Sequence, residues 1–226
     1  MVKKALNVAN WILRTFRTRE TFPMLILLKT VLLPAVEYAC VIWTPNESGL
    51  ITLIESVQKK FTSRFSQFTE YDEDLGMKVC TTDYWQRLKA LKIYSLERRR
   101  ERYQILFLYK IIIGKYPNPG LDLSSIQIPG RHSIKFRPKI NLRSRDWVQT
   151  VRGASFFNKA PKLFNILPEQ LRHPRYLINP TLEDEQQFKS ELDKYLVTVP
   201  DQPTTQGLTT TAFSNSILYQ DKNKAT

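Results

Sequence analysis

YWQRLKALKIYSLERRRERYQILFLYKIIIG, residues 84–114, sets the architecture. Tyr84, Trp85, Leu88 and Leu91 recur at helical steps, which gives a short helix. Ser95 is a candidate cap for a longer one from Leu96 to Ile113, and Gly114 suits the left-handed position just past a helix end. The longer helix opens on Glu97-Arg98-Arg99-Arg100-Glu101-Arg102 and closes on apolar turns. Its first turns are therefore expected in solvent or against a polyanion, and its later turns packed.

Upstream, Leu6, Ala9, Leu13 and Phe16 recur at three- and four-residue steps between Lys3 and Arg19. With Arg14, Arg17 and Arg19 gathered near the end, this predicts an amphipathic helix with a basic last turn. A second helix is expected from about Pro23, whose missing N–H is harmless in a first turn, through Leu25, Leu28 and Leu32 to a kink or break at Pro34. After a turn at Thr44-Pro45-Asn46, the stripe Leu50, Ile54, Val57, Phe61 and Phe65 marks a third, with Asn46 and Ser48 as possible caps and Lys59, Lys60 and Arg64 on the other side. The acidic patch Glu70, Asp72, Glu73 and Asp74 then leads to Gly76, which predicts a loop and a domain boundary.

Downstream the period drops to two. In Ser133-Ile134-Lys135-Phe136-Arg137-Pro138-Lys139-Ile140-Asn141-Leu142-Arg143, apolar residues hold the even positions, so a strand, or two joined at Pro138, would place Lys135, Arg137, Lys139 and Arg143 on one face. Same-face strand neighbours lie roughly 6.6 Å apart, close to two base steps of about 3.4 Å. That spacing suits a phosphate backbone, and equally an edge strand guarded by lysines. Helix is expected again from Asn158, with Pro161 in the first turn, through Leu163, Phe164 and Leu167 to Pro168. A last helix begins at Asn179-Pro180-Thr181 and carries Phe188, Leu192 and Leu196 on one side. Beyond Val197 the Thr-, Gln- and Asn-rich composition reads as a flexible tail.

The chain has 226 residues and a mass of 26.5 kDa, enough for one large domain or two small ones. With 42% hydrophobic and 24% charged residues it has the composition of an ordinary soluble globular protein, but its formal charge is +13. Residues 71–145 hold 16 Lys and Arg against 7 Asp and Glu, which is most of that excess. Such a concentration suggests a polyanionic partner, nucleic acid before an anionic membrane, with a plain solvated basic face as the alternative. Cys40 and Cys80 suggest no disulfide framework, and Asn7, Asn10 and Arg14 interrupt any leader-like run, so an intracellular setting, nucleus or cytoplasm, is expected. Residues 22–43 are long enough for a membrane span but hold Lys29, Pro34 and Glu37, and a central charge costs about 2.5–3.5 kcal/mol on insertion. A pair of core helices is the better reading.

Catalytic constellations do not emerge. There is no phosphate-cradling G-x-x-x-x-G-K-[ST] and no G-x-S-x-G. Cys40, Cys80, His132 and His173 lie too far apart for a zinc-ligand spacing; Cys40 reads as core and His132 as part of the strand entry. Asp72-Glu73-Asp74 lacks the apolar flanks of a metal-binding carboxylate pair and reads as a solvated loop. Trp43 and Trp85, among apolar neighbours, read as core, while Trp147, beside Arg145 and Asp146, is a candidate stacking platform for a base.

Four ordered blocks together resemble a known family. They are KKALNVANWILRTF at 3–16, LLKTVLLPAVEYACVIWTP at 27–45 with LIESVQKKFTSRF at 53–65, the 84–114 stretch, and SFFNKAPKLFNILPEQL at 155–171 with FKSELDKYL at 188–196. In that order they are similar to the region downstream of the palm in the reverse-transcriptase polyprotein of non-long-terminal-repeat (LINE-type, jockey-like) retrotransposons. The resemblance implies a thumb-like and connecting region that grips template–primer. The paired catalytic aspartates, their divalent metal and the endonuclease would belong to segments outside this chain, and no cofactor is expected within it. Tyr71-Asp72-Glu73-Asp74 does not match the family's catalytic motif.

The resulting expectation is a mainly α chain. It comprises a thumb-like helical bundle over 1–75, a small α+β connector with short strands over 76–196 and a disordered C-terminal tail over 197–226. Arg98, Arg99, Arg100 and Arg102 at the helix start, Lys135, Arg137, Lys139 and Arg143 on the strand, and Trp147 would bind an RNA or DNA duplex or single strand through phosphates, without catalysis. The palm of the same polyprotein is a second expected partner, and a membrane is not. The alternative is a helical protein-interaction scaffold without nucleic-acid binding, to be marked by an exposed apolar face at Leu25, Leu28 and Leu32. A degenerate remnant that folds poorly is a third possibility.

Overall fold

In the computed structural model, residues 2–45, 47–127, 134–136, 155–203 and 215–220 are described, the side chains of 125, 127, 219 and 220 excepted. The chain is mainly helical and divides into two compact units, Met1–Cys40 with Glu47–Glu97 and Val41–Asn46 with Arg98–Thr226. The boundary expected near Gly76 thus lies at 97/98. The acidic stretch that suggested a loop is a β-hairpin inside the first unit.

In unit 1, Ala5, Ala9 and Ile12 form the buried stripe of α1 (Val2–Thr15), and the two alanines let neighbouring helices approach closely. α2 (Thr21–Leu27) passes through a π-helical turn (Leu28–Leu32) into α3 (Leu33–Glu37). The chain stays helical through Pro34, so no break occurs there; the local distortion that a proline imposes on a continuous helix takes the form of the π-helical turn immediately before it. α1 packs on α3, on the π-turn and on α4 (Ser48–Thr62), and α4 packs on α5 (Tyr84–Leu91).

Ile54, Val57 and Phe61 of α4 are buried as the stripe predicts, and Phe61 meets Phe65 edge-on at 5.8 Å. α4 begins after Glu47, which makes no side-chain cap. β1 (Thr69–Asp72) pairs antiparallel with β2 (Met77–Cys80), Thr69 facing Cys80 and Asp72 facing Met77. Asp72 folds the turn by accepting the N–H groups of Asp74 and Leu75, and Gly76 supplies the left-handed residue with φ 61°.

α6 (Leu96–Ile112) has its first two residues in unit 1 and the rest in unit 2. It ends as expected at Gly114, φ 74°. In unit 2, β3 (Ile126–Gln127) pairs antiparallel with β4 (Lys135–Phe136). The amide of Asn165 brackets Phe136, accepting its N–H at 2.8 Å and donating to its carbonyl at 2.9 Å. Arg172 serves Ile134 similarly, its carbonyl accepting the Ile134 N–H and its guanidinium donating back.

Asn165 lies on α7 (Phe156–Ile166), which starts at Phe156 behind Ser155 rather than at Asn158 and therefore carries Pro161 inside the helix. α8 (Pro174–Leu177) and α9 (Leu182–Thr198) follow, with Tyr109 stacked on Phe188 at 4.0 Å. Within the segment read as a flexible tail, Val199 is buried and residues 215–220 come back to unit 2, ending in the short helix α10 (Ile217–Gln220), with Ile217 fully buried.

Candidate nucleic-acid interface

The four arginines of α6 do not form a cationic face. Arg98 is 0% exposed; its Nη2 donates to the carbonyls of Pro200 at 2.8 Å and Asn215 at 3.0 Å, and its Nε lies 3.9 Å from Asp201. Arg100 is 2% exposed, and its guanidinium sits 4.7 Å from the Trp43 ring centroid, a cation–π contact. Arg102 grips Asp193 with two hydrogen bonds, which raise its pKa further, and Arg99 lies over the Tyr103 ring at 6.0 Å. The expectation of solvent-facing first turns is therefore overturned.

The reason is helical register. Stepping back from buried Leu108 and Ile105 by four and then three residues reaches Glu101 and Arg98, so the packed stripe runs the whole length of α6 and changes from apolar to polar on the way. Buried polar groups then need partners. Glu101 accepts from the Ser216 hydroxyl and from the Ile217 N–H at 3.0 Å, with the Lys159 ammonium 3.8 Å away. The sequence held this signal in the three- and four-residue spacing, which the charge count passed over.

On the strand, the alternation holds where it is described: Ile134 and Phe136 are buried and Lys135 between them is exposed. Arg137, Lys139, Arg143 and Trp147, and likewise His132, lie outside the described residues. Cys40 is buried as expected, while Trp43 and Trp85 are half-buried.

A basic, aromatic face appears instead on α1. Lys3, Lys4, Asn7, Trp11 and Arg14 occupy the side opposite Ala5, Ala9 and Ile12, and Trp11 is 57% exposed. Lys4, Asn7, Trp11 and Arg14 follow one another at steps of three, four and three residues, a line of roughly 15 Å at 1.5 Å per residue. Arg19 does not extend it: its guanidinium turns back onto the carbonyls of Leu13, Phe16 and Thr18 and closes the helix end. Residues 1–19 contain five Lys and Arg and no Asp or Glu, a signal present in the sequence and eclipsed by the larger excess further along.

Among the described residues, no three or more His, Cys, Asp or Glu are grouped to hold a metal ion, and no helix is long and apolar enough to cross a membrane. No protein-family model, curated protein or solved structure matches the chain.

Proposed function

We propose that this chain is a nucleic-acid-binding region of a retroelement-type reverse-transcriptase polyprotein, one that grips RNA or DNA through phosphates and leaves nucleotidyl transfer to a palm elsewhere. The observation that carries the binding is the α1 face, where Lys3, Lys4 and Arg14 flank the Trp11 indole, exposed although it meets Phe16 edge-on at 6.5 Å. Cations that hold phosphates beside a ring on which a base stacks make a sequence-tolerant grip. The 128–154 segment, with seven Lys and Arg against one Asp, is the second contact in this reading, and Lys135 is its exposed described member. The family assignment rests on the four sequence blocks.

The test is a salt titration of binding to an RNA–DNA hybrid and to a single strand. At the duplex coefficient, a Lys3/Lys4/Arg14→Gln variant should flatten the log–log salt slope by about 2.7 and a Lys135/Arg137/Lys139/Arg143→Gln variant by about 3.6, with smaller changes on the single strand. Trp11→Ala should weaken single-strand binding by about 1–3 kcal/mol. Unchanged slopes in both charge variants would sink the reading.

A second reading has its own observation. The Leu25, Leu28 and Leu32 face expected to mark a protein-interaction scaffold is not exposed, since Leu28 and Leu32 are core and Leu25 is half-buried. Phe22 and Ile26, one turn apart on α2, are exposed instead, as are Leu50 and Leu53 on α4. Concentration-dependent self-association or palm binding, with no affinity for hybrid at low salt, decides for the scaffold.

A further inference from the structure

Within unit 1, a cavity of about 570 Å3 opens beside α4 and the start of α5. Arg87, Lys59 and Lys60 line it, and so does one carboxylate, Asp83, which already accepts the Trp85 N–H at 2.9 Å. Arg87 is 3% exposed, and all of its hydrogen-bond partners are neutral. Nε donates to the Thr62 hydroxyl, Nη1 to the Cys80 sulfur and the Thr82 carbonyl, and Nη2 to the Lys59 carbonyl. These bonds fix the guanidinium and leave one Nη2 hydrogen unspent. No described carboxylate forms an ion pair with Arg87, Lys59 or Lys60, and both lysines are exposed at the cavity.

A buried guanidinium without a counter-charge is costly, and chains ordinarily meet that cost with a carboxylate. Unit 1 instead adds two ammonium groups to the same cavity. The other lining hydroxyls contribute little: Ser56 and Ser63 spend theirs on the Leu53 and Lys60 carbonyls, at 2.6 and 2.8 Å. Beyond Asp83, what the cavity lacks is an anion whose oxygens reach Arg87 and both lysines.

We propose that this cavity binds a phosphate group, with Arg87 as the fixed, oriented donor at its wall and Lys59 and Lys60 as mobile cations at its mouth. A carboxylate satisfies one or two of these donors, whereas a tetrahedral phosphate presents oxygens to all three and carries up to two charges. The phosphate comes either from a free nucleotide or from a nucleic-acid strand; the chemistry is shared and the experiment separates the two. The proposal does not rest on the α1 reading, because Lys3, Lys4 and Arg14 lie on the far side of α1 from its buried stripe and do not line the cavity.

The test uses the full chain and three probes: inorganic phosphate, a nucleoside 5′-monophosphate, and a short oligonucleotide with hydroxyl ends. Titration calorimetry and thermal unfolding are run against chloride at matched ionic strength. Phosphate should raise the unfolding temperature by linkage, and Lys59→Gln with Lys60→Gln should weaken its binding about tenfold or more while leaving the ligand-free unfolding temperature unchanged. Arg87→Lys keeps the charge but gives up the bonds that fix the guanidinium and its unspent Nη2 hydrogen, and should weaken phosphate binding even where its fold is retained. Preference for the monophosphate assigns a free nucleotide or strand end, and a preference for the oligonucleotide that survives Lys3/Lys4/Arg14→Gln and is removed by Lys59→Gln with Lys60→Gln assigns a backbone phosphate. The Lys3/Lys4/Arg14→Gln variant should keep its phosphate affinity, so failure of the α1 grip and failure of this site are read separately. No rise over chloride, or equal binding by wild type and the Lys59/Lys60 variant, overturns the proposal.

Discussion

Glu55 shows how a single buried carboxylate closes unit 1. It takes the Leu96 N–H on both oxygens, at 3.0 and 3.1 Å, and also accepts the Tyr84 hydroxyl, so it ties α4 to the first turn of α6 and to α5. Glu55→Ala strands two buried donors and should cost about 2–4 kcal/mol in denaturant-melt stability. Arg98 is the counterpart in unit 2. Because it is fully buried, with Nη2 committed to the Pro200 and Asn215 carbonyls, Arg98→Ala should lower stability by about 3 kcal/mol yet leave the salt slope of nucleic-acid binding unchanged. A flattened slope with intact stability would return Arg98 to the interface.

At the scale of elements, what the sequence announced depends on which signal each element carries. α1, α4 and α9 bury apolar residues at helical spacing, and α9 also carries its start signal in Thr181 and Asp184, which form a capping box. The Thr181 N–H, then its hydroxyl, then Arg175 hold the Asp184 carboxyl below its ordinary value of 3.8. Its stabilising effect is therefore complete above that ordinary value and is lost as pH falls through the lower folded one. Thr181→Ala should cost about 1 kcal/mol near neutral pH and flatten the acid limb of the stability curve, read by acid titration of helicity. The β1–β2 hairpin was illegible for the opposite reason: none of its strand side chains is fully buried, so no apolar alternation marks it, and its acidic residues mimic a loop. In α6 the charge run was plain to read. The spacing that buries Glu101 and Arg98 was there as well, but their partners were not legible, since some, such as Asn215, lie more than a hundred residues away.

For the whole molecule, the division at 97/98 means that long-range contacts of this kind belong to one unit and should fail with it. Residues 215–218 make the case. Ile217 is fully buried, its N–H and the Ser216 hydroxyl both bind Glu101, and the Asn215 amide donates to Asp201 while its carbonyl accepts from Arg98. Composition gave no hint of this, since a Thr- and Asn-rich segment reads as unable to build a core, and it is one isoleucine with two polar neighbours, Asn215 and Ser216, that does so. Removing residues 215–226 takes away the Ile217 side chain and leaves Glu101 with the Lys159 ammonium but without its two donors from the tail, so the loss should reach about 3–5 kcal/mol. Because those partners all sit in unit 2, hydrogen exchange should quicken across α6 from Arg98 onward and across α7, while the amides of α4 keep their protection. Uniform loss of protection across α4 and α7 alike would show that the two units unfold as one, and unchanged protection throughout would show that the returning segment adds nothing to the core it enters.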